Sequence, residues 1–155
     1  MPDPDPAATT EVLLAAVEAA GCRALVSEGW AGLGQAALPE SVMSVGSVSH
    51  WRLFPRCAAV VHHGGAGTTT TAARAGVPQV VVAHGADQFY WGERVRSLGV
   101  GPGPIARRRL RARSLAGLLR AIAGNEWLAG RAADLASELR TQIAALPRPA
   151  DLLAR

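Results

Sequence analysis

Four short apolar runs are separated by segments that carry helix signals. The runs read "CRALVS", "SVMSVGS", "AAVVHH" and "QVVVA", and they are largely apolar along their length instead of at every second residue. Continuous apolar runs of this length are typical of strands that are buried on both faces. Because such strands alternate here with helices, the pattern predicts an α/β fold, a Rossmann-like parallel sheet with helices on both faces.

Capping and stop residues predict five helices around these strands. In the third, Phe89, Val95 and Leu98 have the spacing that lets them face inward together. The five predicted helices run from Thr9 or Thr10 to about Ala20, from Thr68 to Ala75, from Phe89 to Leu98, from Ser114 to Ala123, and from about Asn125 to just before Pro147.

The chain has the length of one domain. Its 155 residues suffice for one hydrophobic core. We expect residues 1–8, which are acidic and proline-rich, to form a disordered lead-in, residues 9–146 the folded domain, and residues 147–155 a tail. Within the domain, the glycine-rich segment Gly29–Pro39 predicts a loop, and "HWRLFPR" predicts a turn or a single helical turn that Pro55 limits.

All 16 basic residues are arginine, and the chain has a net charge of +4 and a pI near 10.4. Without lysine the chain cannot contain a Walker A phosphate loop. A basic chain suits nucleic acid or a phosphorylated small molecule, although arginine spread over a solvated surface explains the same composition. Five arginines lie within residues 107–113 without interleaved aromatic residues, so we expect a solvated edge and no nucleic-acid partner.

Cysteine usage and the N-terminus predict a cytoplasmic protein. Cys22 and Cys57 are far apart in the sequence and neither belongs to a C-x-x-C pair, which indicates reduced thiols and no metal site. The first residues lack the basic and apolar segments of a secretory signal, and no apolar run is long enough to be a transmembrane segment.

Two histidines end the third predicted strand, and three glycines follow it closely. At the start of the next helix, unpaired backbone N–H groups attract an anion, and glycines let a diphosphate approach them. A histidine or a threonine hydroxyl can add further hydrogen bonds, with Thr68 alternatively capping the helix. A tight turn with glycines that serve only packing remains the alternative. The candidate anion-binding residues are His62, His63, Gly64, Gly65, Ala66, Gly67 and Thr68.

An acid and an amide follow the fourth predicted strand. Asp87 and Gln88 fall at the same carboxyl edge of the sheet, where their acceptors and donors suit a ligand rich in hydroxyl groups, namely a sugar. Asp87 as a plain helix cap is the alternative. A dinucleotide fingerprint is a weaker interpretation, because Thr70 stands where its third glycine is required.

The segments "HHGGAGTT", "AGVPQVVV", "DQFYWGERV" and "LGVGPGPI" occur in that order. Together they resemble the carboxyl-terminal, nucleotide-sugar-binding half of GT-B glycosyltransferases, most closely the branch of sterol 3-beta-glucosyltransferases and antibiotic aglycone glycosyltransferases. The resemblance extends from about Leu13 to Leu110. It implies a UDP-glucose-like or dTDP-sugar donor as substrate and neither a cofactor nor a metal.

The resemblance also implies residue roles. His62 and the backbone of Gly65 to Thr68 would hold the diphosphate, Asp87 and Gln88 would bind the sugar hydroxyls, and the loop around His50 and Trp51 would border the nucleobase.

The chain departs from the family pattern in three respects. Thr69 and Thr70 stand where many relatives carry a glutamate for the ribose, and Ser49 to Arg52 replaces a Pro-His-Asp-Trp segment. The first strand of the donor domain and the acceptor domain, which supplies the catalytic base, are not in this sequence. We therefore expect a donor-binding domain that does not turn over alone, with a separate acceptor domain or self-association as its partner. A non-catalytic interaction or assembly module is the alternative.

Overall fold

Within the residues that the computed structural model describes, the strands are all parallel and lie in two sheets. The structure describes residues 5–27 and 38–147. In the first sheet, β1 (Ala24–Ser27) pairs with β2 (Val42–Val45). In the second, the order is β3 (Val60–His62), β4 (Gln79–Ala83) and β5 (Ile105–Ala106). The four predicted strands are confirmed, but within the described residues they do not form one continuous sheet.

Helices follow the strands in the predicted alternation. Their bounds are α1 (Pro6–Ala20), α2 (His50–Leu53), α3 (Ala66–Ala75), α4 (Gln88–Ser97), α5 (Ala112–Ala123) and α6 (Glu126–Ala144), with short 3-10 turns at Phe54–Arg56 and Arg107–Arg109. The segment "HWRLFPR" therefore forms one helical turn and a 3-10 turn, with Pro55 inside the latter. Most of the predicted loop, residues 28–37, lies outside the described residues, as do residues 1–4 and 148–155.

The first helix begins earlier than predicted. The Asp5 carboxylate accepts a hydrogen bond from the Ala8 N–H at 3.0 Å, and Pro6 occupies the first helical position. A carboxylate cap followed by proline is a stronger start signal than a threonine, so residues 6–8 are helical and Thr9 is buried inside α1. The predicted end is confirmed, because Gly21 takes a left-handed conformation with φ of 66°.

Two other predicted starts are also displaced. α3 begins two residues before Thr68, and α5 begins two residues before Ser114. In both helices the residue before the first turn, Gly65 or Arg111, has extended backbone and makes no side-chain capping hydrogen bond. Searching for a hydroxyl cap therefore places both starts too late. The start of α6 is confirmed, since Asn125 Oδ1 accepts a hydrogen bond from the Leu128 N–H at 2.9 Å.

Helices cover both faces of the second sheet. Alternate residues of β4 point to opposite faces, and all five are buried. On one face, Val80 and Val82 pack with Ala16 of α1 and Leu115 of α5. The other face of β4 packs against α4 and α6, and β3 packs against α3. The layered α/β architecture predicted from the sequence is thereby confirmed, and the carboxyl ends of β3 and β4 form a common edge.

One predicted inward-facing residue is exposed instead. In α4, Val95 is buried and Leu98 half-buried, but Phe89 lies on the outer side with 39% of its surface exposed. In α6, Ile143 is 42% exposed and Trp127 is also exposed, so part of its apolar face is uncovered. Among the described residues, none of the helices has the length and hydropathy that a membrane crossing requires.

Candidate functional site

The turn from β3 into α3 presents backbone amides at the carboxyl edge of the sheet. Gly65 is extended, with φ of −65° and ψ of 141°, and no side chain caps the helix. The first helical hydrogen bond runs from the Thr69 N–H to the Gly65 carbonyl at 2.9 Å. The N–H groups of Ala66, Gly67 and Thr68 therefore have no acceptor within the helix, and they carry its positive end.

Two positions in this turn are occupied by glycine for different physical reasons. Gly64 has φ of +88°, and a β-carbon there would lie 2.7 Å from Val81 Cγ1 and 2.9 Å from the Gln88 carbonyl oxygen. Glycine is therefore required at this position for packing. A β-carbon at Gly67 would meet no atom within 4 Å. Packing within the chain explains Gly64 but not Gly67, where the missing side chain leaves the first turn of α3 open.

The His62 side chain is turned into the protein. It is 4% exposed, its Nε2 lies 2.9 Å from Gln79 Oε1, and its Nδ1 accepts a hydrogen bond from the Gly64 N–H at 3.0 Å. Burial lowers the pKa of His62 to about 4, so the ring is neutral at pH 7. Both ring nitrogens are engaged internally. The structure thus places the His62 ring behind the turn instead of on its outer side, where the sequence predicts a diphosphate contact.

The neighbouring His63 lies on the open side of the turn. It is half-buried, and its Nε2 is the atom that a β-carbon at Gly65 would approach, at 2.5 Å. Burial lowers the pKa of His63, while the Asp87 carboxylate acts in the opposite direction. The imidazole therefore lies beside the backbone of Gly65 at the start of α3.

Three of the four threonines in α3 bond to the helix itself. The hydroxyls of Thr69, Thr70 and Thr71 donate to backbone carbonyls of the first turn at 2.8–3.1 Å. Thr68 is the third helical residue and not the cap, and in the part of the chain that the structure describes it shows no such bond. The Thr68 hydroxyl therefore remains beside the amides of the first turn that have no acceptor within the helix.

The second corner of the site is the turn from β4 into α4. Asp87 precedes the helix, is exposed, and makes no capping hydrogen bond with its carboxylate, so the plain-cap interpretation is not supported. Gln88 Oε1 accepts a hydrogen bond from the His84 N–H at 2.7 Å, which ties the start of α4 to the end of β4. Between them, Ala86 has φ of 50°, an unfavourable value for a residue with a side chain.

The predicted base-binding loop lies on α2. The His50 ring stacks on Phe54 with ring centroids 4.6 Å apart, and the Arg74 guanidinium lies 4.6 Å from the centroid of Trp51. Both predicted residues are exposed. The contact between Trp51 and Arg74 shows that α2 packs beside α3.

The structure brings the two predicted corners together. Gly64 of the first turn packs against the main chain of Gln88 in the second. Sequence reasoning missed Gln79 and the strained Ala86. The signal for Gln79 was available, because it is the one polar residue in the run "QVVVA". No group of three or more metal-ligating side chains is found within residues 5–27 and 38–147.

Solved glycosyltransferases share this fold. Glycosyltransferase VinC in complex with dTDP aligns with a TM-score of 0.69 and 34% identity, over 87% of this chain and 34% of that one. Spinosyn rhamnosyltransferase SpnG complexed with thymidine diphosphate aligns with a TM-score of 0.74 and 28% identity, over 92% of this chain and 39% of that one. The fold is that of the carboxyl-terminal domain of GT-B glycosyltransferases.

The family can be stated more closely. Residues 12–155 match the family described as erythromycin biosynthesis protein CIII-like, C-terminal domain, and the chain belongs to that family. Among curated relatives, the Arabidopsis thaliana sterol 3-beta-glucosyltransferase UGT80B1 is 40% identical over 122 residues, which are 77% of this chain and 20% of the relative. The Amycolatopsis orientalis vancomycin aglycone glucosyltransferase is 43% identical over 106 residues, 64% of this chain and 25% of the relative. The chain thus spans about a fifth to a quarter of these relatives.

Proposed function

We propose that the chain binds the donor of a hexosyl transfer, a nucleoside diphosphate sugar such as UDP-glucose or a dTDP-sugar. The observation that carries the proposal is the contact of Gly64 with the Gln88 main chain, which sets an anion-attracting helix start beside an acid and an amide. A pyrophosphate and its attached hexose are neighbours in the same way. The relatives crystallised with thymidine diphosphate support the class of ligand.

The pyrophosphate would occupy the space in front of α3. The amides of Ala66, Gly67 and Thr68 point there, the open position at Gly67 leaves room for it, and the Thr68 hydroxyl can donate a further bond. His63 is the histidine whose position suits a phosphate oxygen. The His62 ring would contribute indirectly, by holding the Gly64 amide and with it the shape of the turn.

The hexose would lie against the start of α4. The exposed Asp87 carboxylate can accept hydrogen bonds from two sugar hydroxyls, and the Gln88 side chain retains its amide donors because only its oxygen is used by His84. This corner distinguishes a nucleotide sugar from the bare nucleoside diphosphate.

The nucleoside would extend towards α2, where His50 and Trp51 are exposed. The hydroxyls of Thr69 and Thr70, which stand in place of the family's glutamate, are used by the helix backbone and do not replace its ribose contact. We therefore assign most of the donor affinity to the diphosphate, and we expect UDP and dTDP to bind with similar affinity.

The chemistry follows from this placement. An acceptor hydroxyl would attack the anomeric carbon of the hexose, and the bond to the nucleoside diphosphate would break. The positive end of α3 would stabilise the negative charge that develops on the leaving group. The base that takes the acceptor's proton would come from an acceptor domain, supplied by a further segment or a separate chain.

Isothermal titration calorimetry with UDP, dTDP and UDP-glucose tests the proposal. We expect all three to bind, and we expect Asp87→Asn to weaken UDP-glucose about tenfold through loss of hydrogen bonds to a charged acceptor, while leaving UDP unchanged. Glu93→Gln, the same chemical change further along α4, is the matched control. If none of the three ligands binds and none of them changes the melting temperature, the proposal is overturned and a non-catalytic interaction module is favoured.

A further inference from the structure

Gln79 differs from the rest of its strand. β4 is buried along its whole length, its other four residues are apolar, and Gln79 itself is 0% exposed. Burying an amide is unfavourable unless it makes hydrogen bonds that the fold needs. The Gln79 side chain therefore has a role in the protein beneath the site.

The hydrogen bonds of His62 determine which ring nitrogen carries the proton. Gln79 Oε1 lies 2.9 Å from His62 Nε2, and the Gly64 N–H donates to His62 Nδ1 at 3.0 Å. An N–H donor at Nδ1 requires a lone pair there, so the ring hydrogen must be on Nε2, facing an acceptor. A flipped Gln79 amide would place its NH₂ group against that N–H, so the oxygen has to face His62. Both bonds therefore select the same neutral tautomer.

The His62 ring in turn accepts a hydrogen bond from the Gly64 N–H, and Gly64 sets the path of the turn. Gly64 has φ of +88° and is wedged between Val81 and Gln88, and its N–H points inward to His62. With that amide held inward, the chain leaves the turn with the next amides at the open start of α3. From this geometry we infer that Gln79 is a positioning residue of the donor site: through the His62 tautomer it orients the glycine turn that receives the diphosphate. This inference rests on the proposed function for the identity of the ligand.

The backbone of Gln79 is held independently of its side chain. Its N–H donates to the Val100 carbonyl at 2.9 Å, and its own carbonyl lies against Gly101. A substitution at this position can therefore change the side-chain acceptor without displacing the strand. This makes the role of the side chain testable.

The test combines two readouts on the full chain. The first is the His62 tautomer, read from imidazole ¹⁵N shifts by NMR without ligand, and the second is the affinity for dTDP by calorimetry. In the unmodified chain we expect the Nε2–H tautomer. In Gln79→Met, which keeps the volume and removes the acceptor, we expect mixed tautomers and about tenfold weaker dTDP binding, as when one ordering hydrogen bond is lost. Gln79→Asn keeps the amide but shortens the side chain by one carbon, so it should likewise lose the contact with Nε2 and give mixed tautomers.

Val82→Ala is the control for a merely structural effect. It removes buried volume from the same strand on the opposite face, so it should lower stability while leaving the tautomer and dTDP affinity unchanged. The inference is overturned if the unmodified chain carries the Nδ1–H tautomer, if Gln79→Met keeps both the wild-type tautomer and affinity, or if Val82→Ala weakens dTDP equally. Should Gln79→Met not fold, a Gln79→Asn protein with the wild-type tautomer and wild-type dTDP affinity would overturn it. Failure of the unmodified chain to bind dTDP is a different result, which refutes the proposed function.

Discussion

The substitution Gly67→Asp separates the stability of α3 from its proposed ligand. Gly67 is the second residue of the helix, is exposed, and has no atom within 4 Å of where its β-carbon would lie. An aspartate is therefore accommodated without repacking. It is a better helix former than glycine by roughly 0.3 kcal/mol, and a carboxylate in the first turn adds about 0.3–1 kcal/mol. We expect the fold to gain about 1 kcal/mol.

The same carboxylate stands where the pyrophosphate is proposed to bind. Two unit charges 4 Å apart repel each other by about 1 kcal/mol in water and about 4 kcal/mol near a protein surface. Because about 1.4 kcal/mol corresponds to a tenfold change in affinity, we expect UDP to bind at least tenfold more weakly. A more stable protein that has lost its ligand is an outcome that general damage to the fold cannot produce.

Thermal melting and calorimetry measure the two effects. The melting temperature should rise by roughly 2–4 °C for a gain of about 1 kcal/mol in a chain of this size. Gly67→Asn separates the charge from the size of the side chain. Gly130→Asp makes the same change at another exposed helical glycine with open space around it, and it should leave UDP binding unchanged. A folded Gly67→Asp protein with wild-type UDP affinity would refute the placement of the pyrophosphate.

Four further predictions follow from the described contacts. Asp5→Ala removes the cap of α1 and should lower the free energy of unfolding by about 1 kcal/mol in urea titrations, whereas an unchanged value would contradict the capping role. Gly64→Ala forces a side chain into a left-handed, closely packed position, so we expect a loss of at least about 2 kcal/mol in the same assay, and a neutral effect would refute the turn geometry. Burial lowers the pKa of His62 from 6.5 to about 4, so on acidification the imidazole is protonated in the unfolded chain before it is protonated in the folded one. The free energy of unfolding should therefore keep its full value above about pH 6.5 and fall by up to about 3 kcal/mol towards pH 4. An NMR titration of His62 with a midpoint near 6.5 would contradict this. Ile143→Glu should abolish the concentration-dependent association that we expect from the exposed end of α6, and sedimentation of the unmodified chain as a monomer at high concentration would rule that association out.

Local signals predicted most of the elements. The end of α1 at Gly21 and the end of α3 at Gly76 depend on a left-handed backbone that glycine adopts without strain, and both are confirmed. The cap of α6 at Asn125 is likewise a contact over three residues. The starts of α3 and α5 were predicted two residues too late because a hydroxyl cap was assumed, and neither helix has a side-chain cap. A prediction based on side-chain caps cannot locate helices that begin without one.

The approximate position of the candidate site could also be predicted. Parallel strands end at a common edge, so residues that follow "AAVVHH" and "QVVVA" had to lie near each other. The face of each side chain could not be predicted in the same way. The sequence does not distinguish His62 from His63, yet the first is buried behind the turn and the second stands on its open side. The alternation of side chains along β3 decides this, together with the packing of α3 on that face.

The sequence by itself therefore determined the order of strands and helices, the helix ends and the edge at which polar residues gather, because each depends on a few consecutive residues or on chain connectivity. Only the tertiary structure decided that Gln79 meets His62. These residues are 17 positions apart, and the parallel register that pairs Val60 with Gln79 and His62 with Val81 brings them onto one face. The same packing made Gly64 obligatory and left Gly67 open. Such contacts follow from how two strands and two helices fit together, which no local pattern encodes.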